Sequence, residues 1–145
     1  MEKDILIIRK KLGVGFKMKF REITLESGTN ILLGKNAEQN DELVKQFKGK
    51  ENTIIHTVAS GSPFCVIEDL DPSRKDINLS GTFCATYSQD WRDNKRDVKV
   101  SIFSGKDVNK SKGMEIGTWK VKNSKIKIIK KQDIEKCQKN KDKYN

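Results

Sequence analysis

Apolar and polar positions alternate along this chain with two different periods, which predict strands and helices. Strands are expected where apolar residues form a short run or occupy every second position. The predicted strands are Ile5–Ile8, Met18–Leu25, Ile31–Leu33, Thr53–Thr57, Phe64–Ile67, Val98–Phe103, Ile116–Val121 and Ile126–Ile129. Asn123 and Ser124 form a turn sequence between the last two, which predicts a hairpin there.

Two segments instead have apolar residues at helical spacing. Ala37–Phe47 is amphipathic, and four residues share its predicted buried face: Ala37, Leu43, Val44 and Phe47. The second helix is predicted to begin after Ser73, which with Asp76 has the spacing of a capping box, and to continue as far as Trp91. Together these elements predict a single α+β domain with a mixed or largely antiparallel sheet and two main helices.

The last residues are polar and rich in lysine. We expect the folded domain to occupy residues 1–131 and residues 132–145 to form a basic tail, either flexible or helical. Because the tail has almost no apolar residues, it is predicted to be mobile and largely dispensable for folding.

The positive charge is concentrated in the second half of the chain. The 145 residues suit one domain, and their net charge is +10. Residues 1–91 carry 13 basic and 13 acidic side chains, whereas residues 92–145 carry 17 and 7. Such a basic half attracts polyanions such as RNA or DNA. A solvated, lysine-rich surface would have the same composition, so charge alone leaves both interpretations open.

The cysteines and the apolar runs indicate a cytoplasmic protein. Cys65, Cys84 and Cys137 are odd in number and far apart, which argues against a disulfide framework or a zinc site. No apolar stretch approaches the ~20 residues of a membrane span. The first residues lack the apolar core of a signal peptide.

Catalytic chemistry is sparse. The single histidine, His56, would have to pair with a cysteine or serine to activate a nucleophile. No phosphate-binding glycine loop is present, and Asp69 and Asp71 lack further ligands for a metal ion. The prediction is a protein without enzymatic activity or cofactor, with an enzyme built on His56 as an alternative.

Two polar segments are unusual for turns. Gly34–Asp41 packs three amides, a lysine and an aspartate around a helix start, where backbone N–H groups could hold a phosphate. Helix capping and turn formation are the alternative. Ala59–Pro63, closely following His56, is rich in small residues that allow a ligand to approach the backbone, or it is an ordinary loop.

These segments carry a resemblance to a known family. Gly34–Asp41 resembles the signature Gly-Arg/Lys-Asn-Ala-x-x-Asn-Asp of the NFACT-R family. Thr53–His56 with Gly61–Ile67 is similar to that family's next conserved segments, and two later segments follow in the family's order: Ala85–Ser88 and Val98–Lys110. The similarity spans Leu25–Ile129. This chain departs from the pattern at Ile54 and Ser60, where tryptophan and proline are usual, and at Pro63-Phe64, which replaces a second histidine.

The resemblance implies an RNA-binding module. Proteins with this domain are associated with ribosome-linked quality control of stalled nascent chains, in which the full-length factor engages the large ribosomal subunit and tRNA. Those factors also carry an N-terminal domain, a helical hairpin and a coiled coil, so the expectation here is a stand-alone member. The implied site residues are Gly34, Lys35, Asn36, Asn40, Asp41, His56, Ser60, Gly61 and Ser62.

The basic half supplies a second set of candidates. Phosphate contacts are predicted for Arg92, Arg96, Lys99, Lys106, Lys110 and Lys112, and for the later lysines 120, 122, 125 and 127. Trp119 is a candidate for stacking on a base, whereas Tyr87 and Trp91 are expected to be core residues. The predicted partner is structured RNA such as tRNA or rRNA, with the ribosome, DNA or an acidic protein partner as alternatives.

Overall fold

A six-stranded antiparallel sheet organises this protein. The computed structural model describes residues 19–140, so the predicted strand Ile5–Ile8 lies outside the described residues. The strands are β1 Arg21–Thr24, β2 Asn30–Leu33, β3 Thr53–Thr57, β4 Cys65–Ile67, β5 Val98–Ser104, β6 Val108–Asn109, β7 Lys120–Val121 and β8 Lys125–Ile129. The helices are α1 Ala37–Phe47, α2 Arg74–Thr86, α3 Gln89–Asn94 and α4 Lys131–Asn140, with a 3-10 turn at Gly105–Asp107.

The sheet order is β1-β2-β4-β3-β5-β8, and β6 and β7 form a separate two-stranded ribbon. Every strand pairing within residues 19–140 is antiparallel. The α+β class and the antiparallel sheet are therefore confirmed, although the described residues contain four helices where two were predicted.

Alternation along the strands divides the core into two layers. In β3, Ile54 belongs to one buried cluster and its neighbour Ile55 to the other. The cluster with Ile54 includes Leu43 and Val44 of α1, so α1 covers that face of the sheet. The cluster with Ile55 is covered by α2, α3 and α4. Successive strand residues point to opposite faces, which gives the sheet an apolar layer on each side.

The predicted second helix is interrupted at Tyr87 and Ser88. Its start is as expected, because the Ser73 side chain accepts a hydrogen bond from the Asp76 N–H. The fully buried Ser88 hydroxyl donates to the Ala85 carbonyl and accepts from the Trp91 N–H. One serine thus closes α2 and caps α3, so the prediction of one continuous helix is wrong.

The predicted hairpin of the last two strands is also wrong. β7 pairs with β6, Val121 lying opposite Val108, whereas β8 pairs with β5, Ile129 lying opposite Val98. Residues 116–119 are not strand: Ile116 and Gly117 form a turn, and Thr118 and Trp119 have no regular structure. The predicted loop over residues 104–113 contains the 3-10 turn and β6.

The tail is helical and packed as far as the structure describes it. Ile134 of α4 is fully buried in the cluster under α2, and Cys137 packs against the same cluster. The indole N–H of Trp91 donates to the Gln138 side chain at 3.3 Å. The expected tail is therefore helical over residues 132–140 and anchored by one buried isoleucine, so the expectation of mobility is wrong there. That the tail is dispensable for folding stays a prediction. The domain boundary at residue 131 stays a prediction.

This anchoring predicts that Ile134→Ala lowers the free energy of unfolding by roughly 2–5 kcal/mol, the usual range for a buried isoleucine. Urea denaturation followed by circular dichroism would measure it. Ile128→Ala is the matched control, since Ile128 is half exposed. Equal stability of the two variants would show that α4 does not stabilise the domain.

Candidate functional site

An open cleft of about 840 Å³ lies on the α1 side of the sheet. Its lining comes from the start of α1, the β3–β4 loop, the start of α3 and the segment from Ile116 to Ile126. Eight of the nine predicted motif residues line it: Gly34, Lys35, Asn36, Asn40, His56, Ser60, Gly61 and Ser62. The two unusual polar segments therefore meet at one site, although the sequence separates them by about 20 residues.

The start of α1 is capped from within the motif. The Asn36 side chain accepts from the Gln39 N–H at 2.9 Å, and the Gln39 side chain accepts from the Lys35 N–H at 3.0 Å. A phosphate at this helix start would have to displace side-chain acceptors that already satisfy these two N–H groups. Lys35 and Asn36 themselves are exposed at the cleft.

Asn40 joins α1 to the β3–β4 loop. Its buried amide donates to the Ser62 carbonyl at 3.2 Å and accepts from the Phe64 N–H at 3.0 Å. Gly34 leaves room for this amide, because a Cβ at Gly34 would collide with the Asn40 oxygen. The glycine at the beginning of the motif and the asparagine near its end therefore work as a pair.

Asp41, the next residue of α1, joins this helix to the segment 110–119. One carboxylate oxygen accepts from the Lys110 ammonium at 2.7 Å, the Gly117 N–H at 2.7 Å and the Trp119 indole at 3.1 Å. Asp41 does not line the cleft but a smaller hollow beside it. Its contacts assign it to holding this segment in place.

The β3–β4 loop is fixed at both ends. The Ser62 hydroxyl accepts from the Thr57 N–H, and the Gly61 carbonyl accepts from the Gln89 N–H at 2.7 Å. Gly61 has a positive φ of 89°, and a Cβ there would meet the Gln89 Cβ at 2.8 Å. Only glycine permits this contact, which brings the start of α3 to the cleft.

The floor of the cleft contains a pair of stacked rings. His56 and Phe64 have ring centroids 4.2 Å apart and an interplanar angle of 27°. Burial lowers the pKa of His56 below its usual 6.5, so the imidazole is neutral at pH 7. The histidine thus provides a flat, uncharged surface, and the positive charge of the site comes from other residues.

Three cations line the cleft, Arg21, Lys35 and Arg92, and the described lining contains no carboxylate. The Arg21 guanidinium lies 4.1 Å from the centroid of the Tyr87 ring. Arg92 donates to the Tyr87 carbonyl at 3.2 Å and to the Gln89 side chain at 2.9 Å. These contacts orient both guanidinium groups, and none of the described partners is a carboxylate.

The cleft is also lined by large apolar side chains that are exposed to solvent. Among residues 19–140, five large apolar side chains are exposed, and three of these line the cleft: Val58, Ile116 and Ile126. Exposed apolar groups next to cations, in a described lining without carboxylates, suit a ligand with an anionic part and a flat apolar part.

The other basic candidates lie away from the cleft. Arg96 pairs with Asp90 at 3.5 Å and Lys106 with Glu51 at 3.3 Å. Lys110 donates to Asp41 and to the Glu115 and Thr118 carbonyls, which occupies the three N–H groups of its ammonium. Four more are exposed elsewhere: Lys99, Lys112, Lys120 and Lys122. In β8, Lys125 is exposed and Lys127 is half-buried. Arg92 alone of the predicted basic set lines the cleft.

The stacking candidates divide into three environments. Trp91 is buried in the core, as expected. Tyr87 is half-buried and packs on the same core while also lining the cleft. Trp119 is half-buried at the cleft, fixed by Asp41 and with the Lys110 ammonium 4.9 Å from its ring centroid.

Several contributors to the cleft were not identified from the sequence. Arg21, Gln89 and Ile126 line the cleft, but each lies in a separate element without a local motif. In β8, Ile126 and Ile129 are three residues apart, so their side chains point to opposite faces of the sheet. This alternation is the one signal in the sequence that could have marked Ile126 as exposed.

The buried thiols are unsuited to catalysis. Burial raises the pKa of Cys84 to about 12 and that of Cys65 well above its usual value, so both stay protonated at neutral pH. Cys65 and Cys84 are core residues, as predicted. Within residues 19–140 no group of three His, Cys, Asp or Glu side chains is placed to hold a metal ion. Across that range, every helix is too short or too polar to span a membrane.

Comparison with known proteins identifies a family and a similar fold. A family profile described as the NFACT protein RNA binding domain matches residues 19–123. A solved structure of the C-terminal part of the fibronectin/fibrinogen-binding protein from Streptococcus suis has a similar fold, with a TM-score of 0.72 and 24% identity. That similarity covers 85% of this chain and 50% of the other, so this chain spans about half the length of that structure. No curated protein matches this sequence.

The Asn40 contacts predict that Asn40→Ala destabilises the domain by roughly 1–3 kcal/mol, because two buried backbone groups lose their partner. Thermal melts of Asn40→Ala and of Asn36→Ala would measure the difference, since Asn36 is exposed and its loss removes only a cap. An unchanged melting temperature for Asn40→Ala would contradict the role assigned to this amide.

Proposed function

Because this chain belongs to the NFACT-R family, we propose that it binds structured RNA, such as tRNA or rRNA, through the cleft. The observation that carries the proposal is the combination of three cations with no carboxylate in the described lining. The whole sequence has 20 acidic residues beside its 30 basic ones. The described lining therefore differs from the sequence as a whole in having cations without carboxylates, which favours an anionic ligand.

Arginine is well suited to this ligand. Its guanidinium has five N–H donors in a planar arrangement that can bind two phosphate oxygens at once. Arg21 and Arg92 approach the same residue, Tyr87, one on its ring and one on its carbonyl. Lys35 adds a third cation at the start of α1. We assign these three side chains to phosphate contacts.

The predicted motif residues then divide into two roles. Lys35, Asn36, His56 and Ser60 are accessible at the cleft and would contact RNA. Asn40, Asp41 and Ser62 would act as positioning residues, because their side chains are engaged within the protein. The exposed Lys99 and Lys112, with Arg96 and Lys106 in weak surface pairs, would add peripheral phosphate contacts.

The setting of this activity is the translation machinery. We propose that the protein acts in the cytoplasm, binds RNA without chemical change, and takes part in translation or ribosome quality control. The family description names an RNA-binding domain of NFACT proteins, which supports the binding of RNA. The basic second half would assist binding to a ribosomal surface rich in phosphate.

A second candidate is docking on an acidic protein partner. The exposed Val58, Ile116 and Ile126 favour it, because exposed apolar groups are common at protein interfaces. Titration with polyglutamate separates the two candidates. Binding of polyglutamate as tight as binding of tRNA would favour the protein partner.

The proposal predicts that Arg92→Ala weakens binding to tRNA and reduces the dependence of log affinity on log salt by about one unit, as expected for one lost phosphate contact. Fluorescence anisotropy between 50 and 200 mM salt would measure both, with DNA of equal length for comparison. Arg74→Ala, which removes an exposed arginine outside the cleft, is the matched control. A salt-independent affinity, or equal losses in both variants, would contradict the proposal.

A further inference from the structure

Three residues in the cleft form one row across the sheet. His56 of β3 lies opposite Ser101 of β5, which lies opposite Ile126 of β8. Directly opposed residues share a face, and neighbouring strands lie about 4.8 Å apart, so the row spans roughly 10 Å. All three side chains line the cleft.

We call this row of His56, Ser101 and Ile126 the tray. A flat imidazole stacked on Phe64 stands at one end and an aliphatic side chain, 57% exposed, at the other. The small Ser101 lies between them. The tray therefore offers a flat apolar surface about as long as a nucleobase, with one hydroxyl that can donate or accept a hydrogen bond.

The cations lie on the same cleft as the tray. Arg92 uses two of its five N–H groups on acceptors among residues 19–140, so further donors remain for a phosphate. A double helix presents phosphates and 2′-hydroxyls outward while its bases stay stacked inside. It would leave the tray uncovered and exposed to water.

We propose that the cleft takes one unpaired nucleotide, with its base on the tray of His56, Ser101 and Ile126 and its phosphates on Arg21 and Arg92. This inference rests on the proposed RNA binding and names the part of the RNA that the cleft recognises. Charge complementarity selects this ligand, since the described lining offers an anion three cations and no carboxylate. Within a structured RNA, a bulge, a loop or an end supplies such a nucleotide.

The test compares two RNA duplexes that differ by a single bulged nucleotide, at one fixed salt concentration, with the full chain. The parent protein is expected to bind the bulged duplex more tightly. His56→Ala should weaken binding of the bulged duplex by roughly fivefold or more, the range for loss of an aromatic stacking partner. Ile126→Ala should weaken it measurably through loss of apolar contact with the base. Binding of the fully paired duplex should not change.

Ile128→Ala is the matched control. Ile128 lies in the same strand two residues away and is 48% exposed, but it does not line the cleft. It should leave both affinities as in the parent. Because Ile126 is mostly exposed, its variant should fold, and a melting curve for His56→Ala checks the more buried position. A 2-aminopurine at the bulge should lose fluorescence on binding to the parent and less on binding to Ile126→Ala.

The outcomes distinguish failure of RNA binding from failure of the unpaired-nucleotide site. If neither duplex binds, RNA binding itself fails. If both bind equally well, RNA binding stands and the unpaired-nucleotide site is overturned. A preference for the bulge that Ile126→Ala leaves intact, or that Ile128→Ala removes equally, also overturns the site, because the preference would then arise outside the tray.

Discussion

Two consecutive side chains of α1 hold the cleft in shape. Asn40 binds the β3–β4 loop through two buried hydrogen bonds, and Asp41 binds the segment 110–119 through three donors on one oxygen. Leaving the buried partners of Asn40 unpaired costs roughly 1–3 kcal/mol, and the half-buried Asp41 carboxylate is held by three donors, so both connections resist opening. The cleft is therefore formed before any ligand arrives, and Arg21 and Arg92 need little reordering to bind one.

The same connections decide which cations are available to a ligand. The Lys110 ammonium donates to Asp41 and to two backbone carbonyls, so it stabilises the fold and has no N–H group left for a ligand. Arg21 and Arg92 instead contact Tyr87, which orients them, and the described lining around them contains no carboxylate. A count of basic residues in the sequence cannot distinguish these two situations, because the distinction depends on partners far away in the chain.

The sequence predicted those elements whose pattern is local. Thr53–Thr57 and Ala37–Phe47 have the predicted bounds, since alternation and helical spacing are set by neighbouring residues. The errors arose where distant contacts decide. Asp41 binds the Gly117 N–H in a turn where a strand was predicted, and the buried Ser88 divides a helix that spacing alone would continue. A single buried residue, Ile134, was too weak a signal to predict the packing of α4.

The site was predicted to a similar extent. The motif Gly34–Asp41 and the loop after His56 were found, because each is a continuous segment with an unusual composition. Arg21 and Ile126 were missed because strand pairing alone brings them to the cleft. The most direct test of the central claim is an NMR titration of the isotope-labelled protein with tRNA. The account predicts that the largest shift changes cluster at the cleft, at Lys35, His56 and Gln89. Changes concentrated on α2 and α4, on the other face of the sheet, would contradict it.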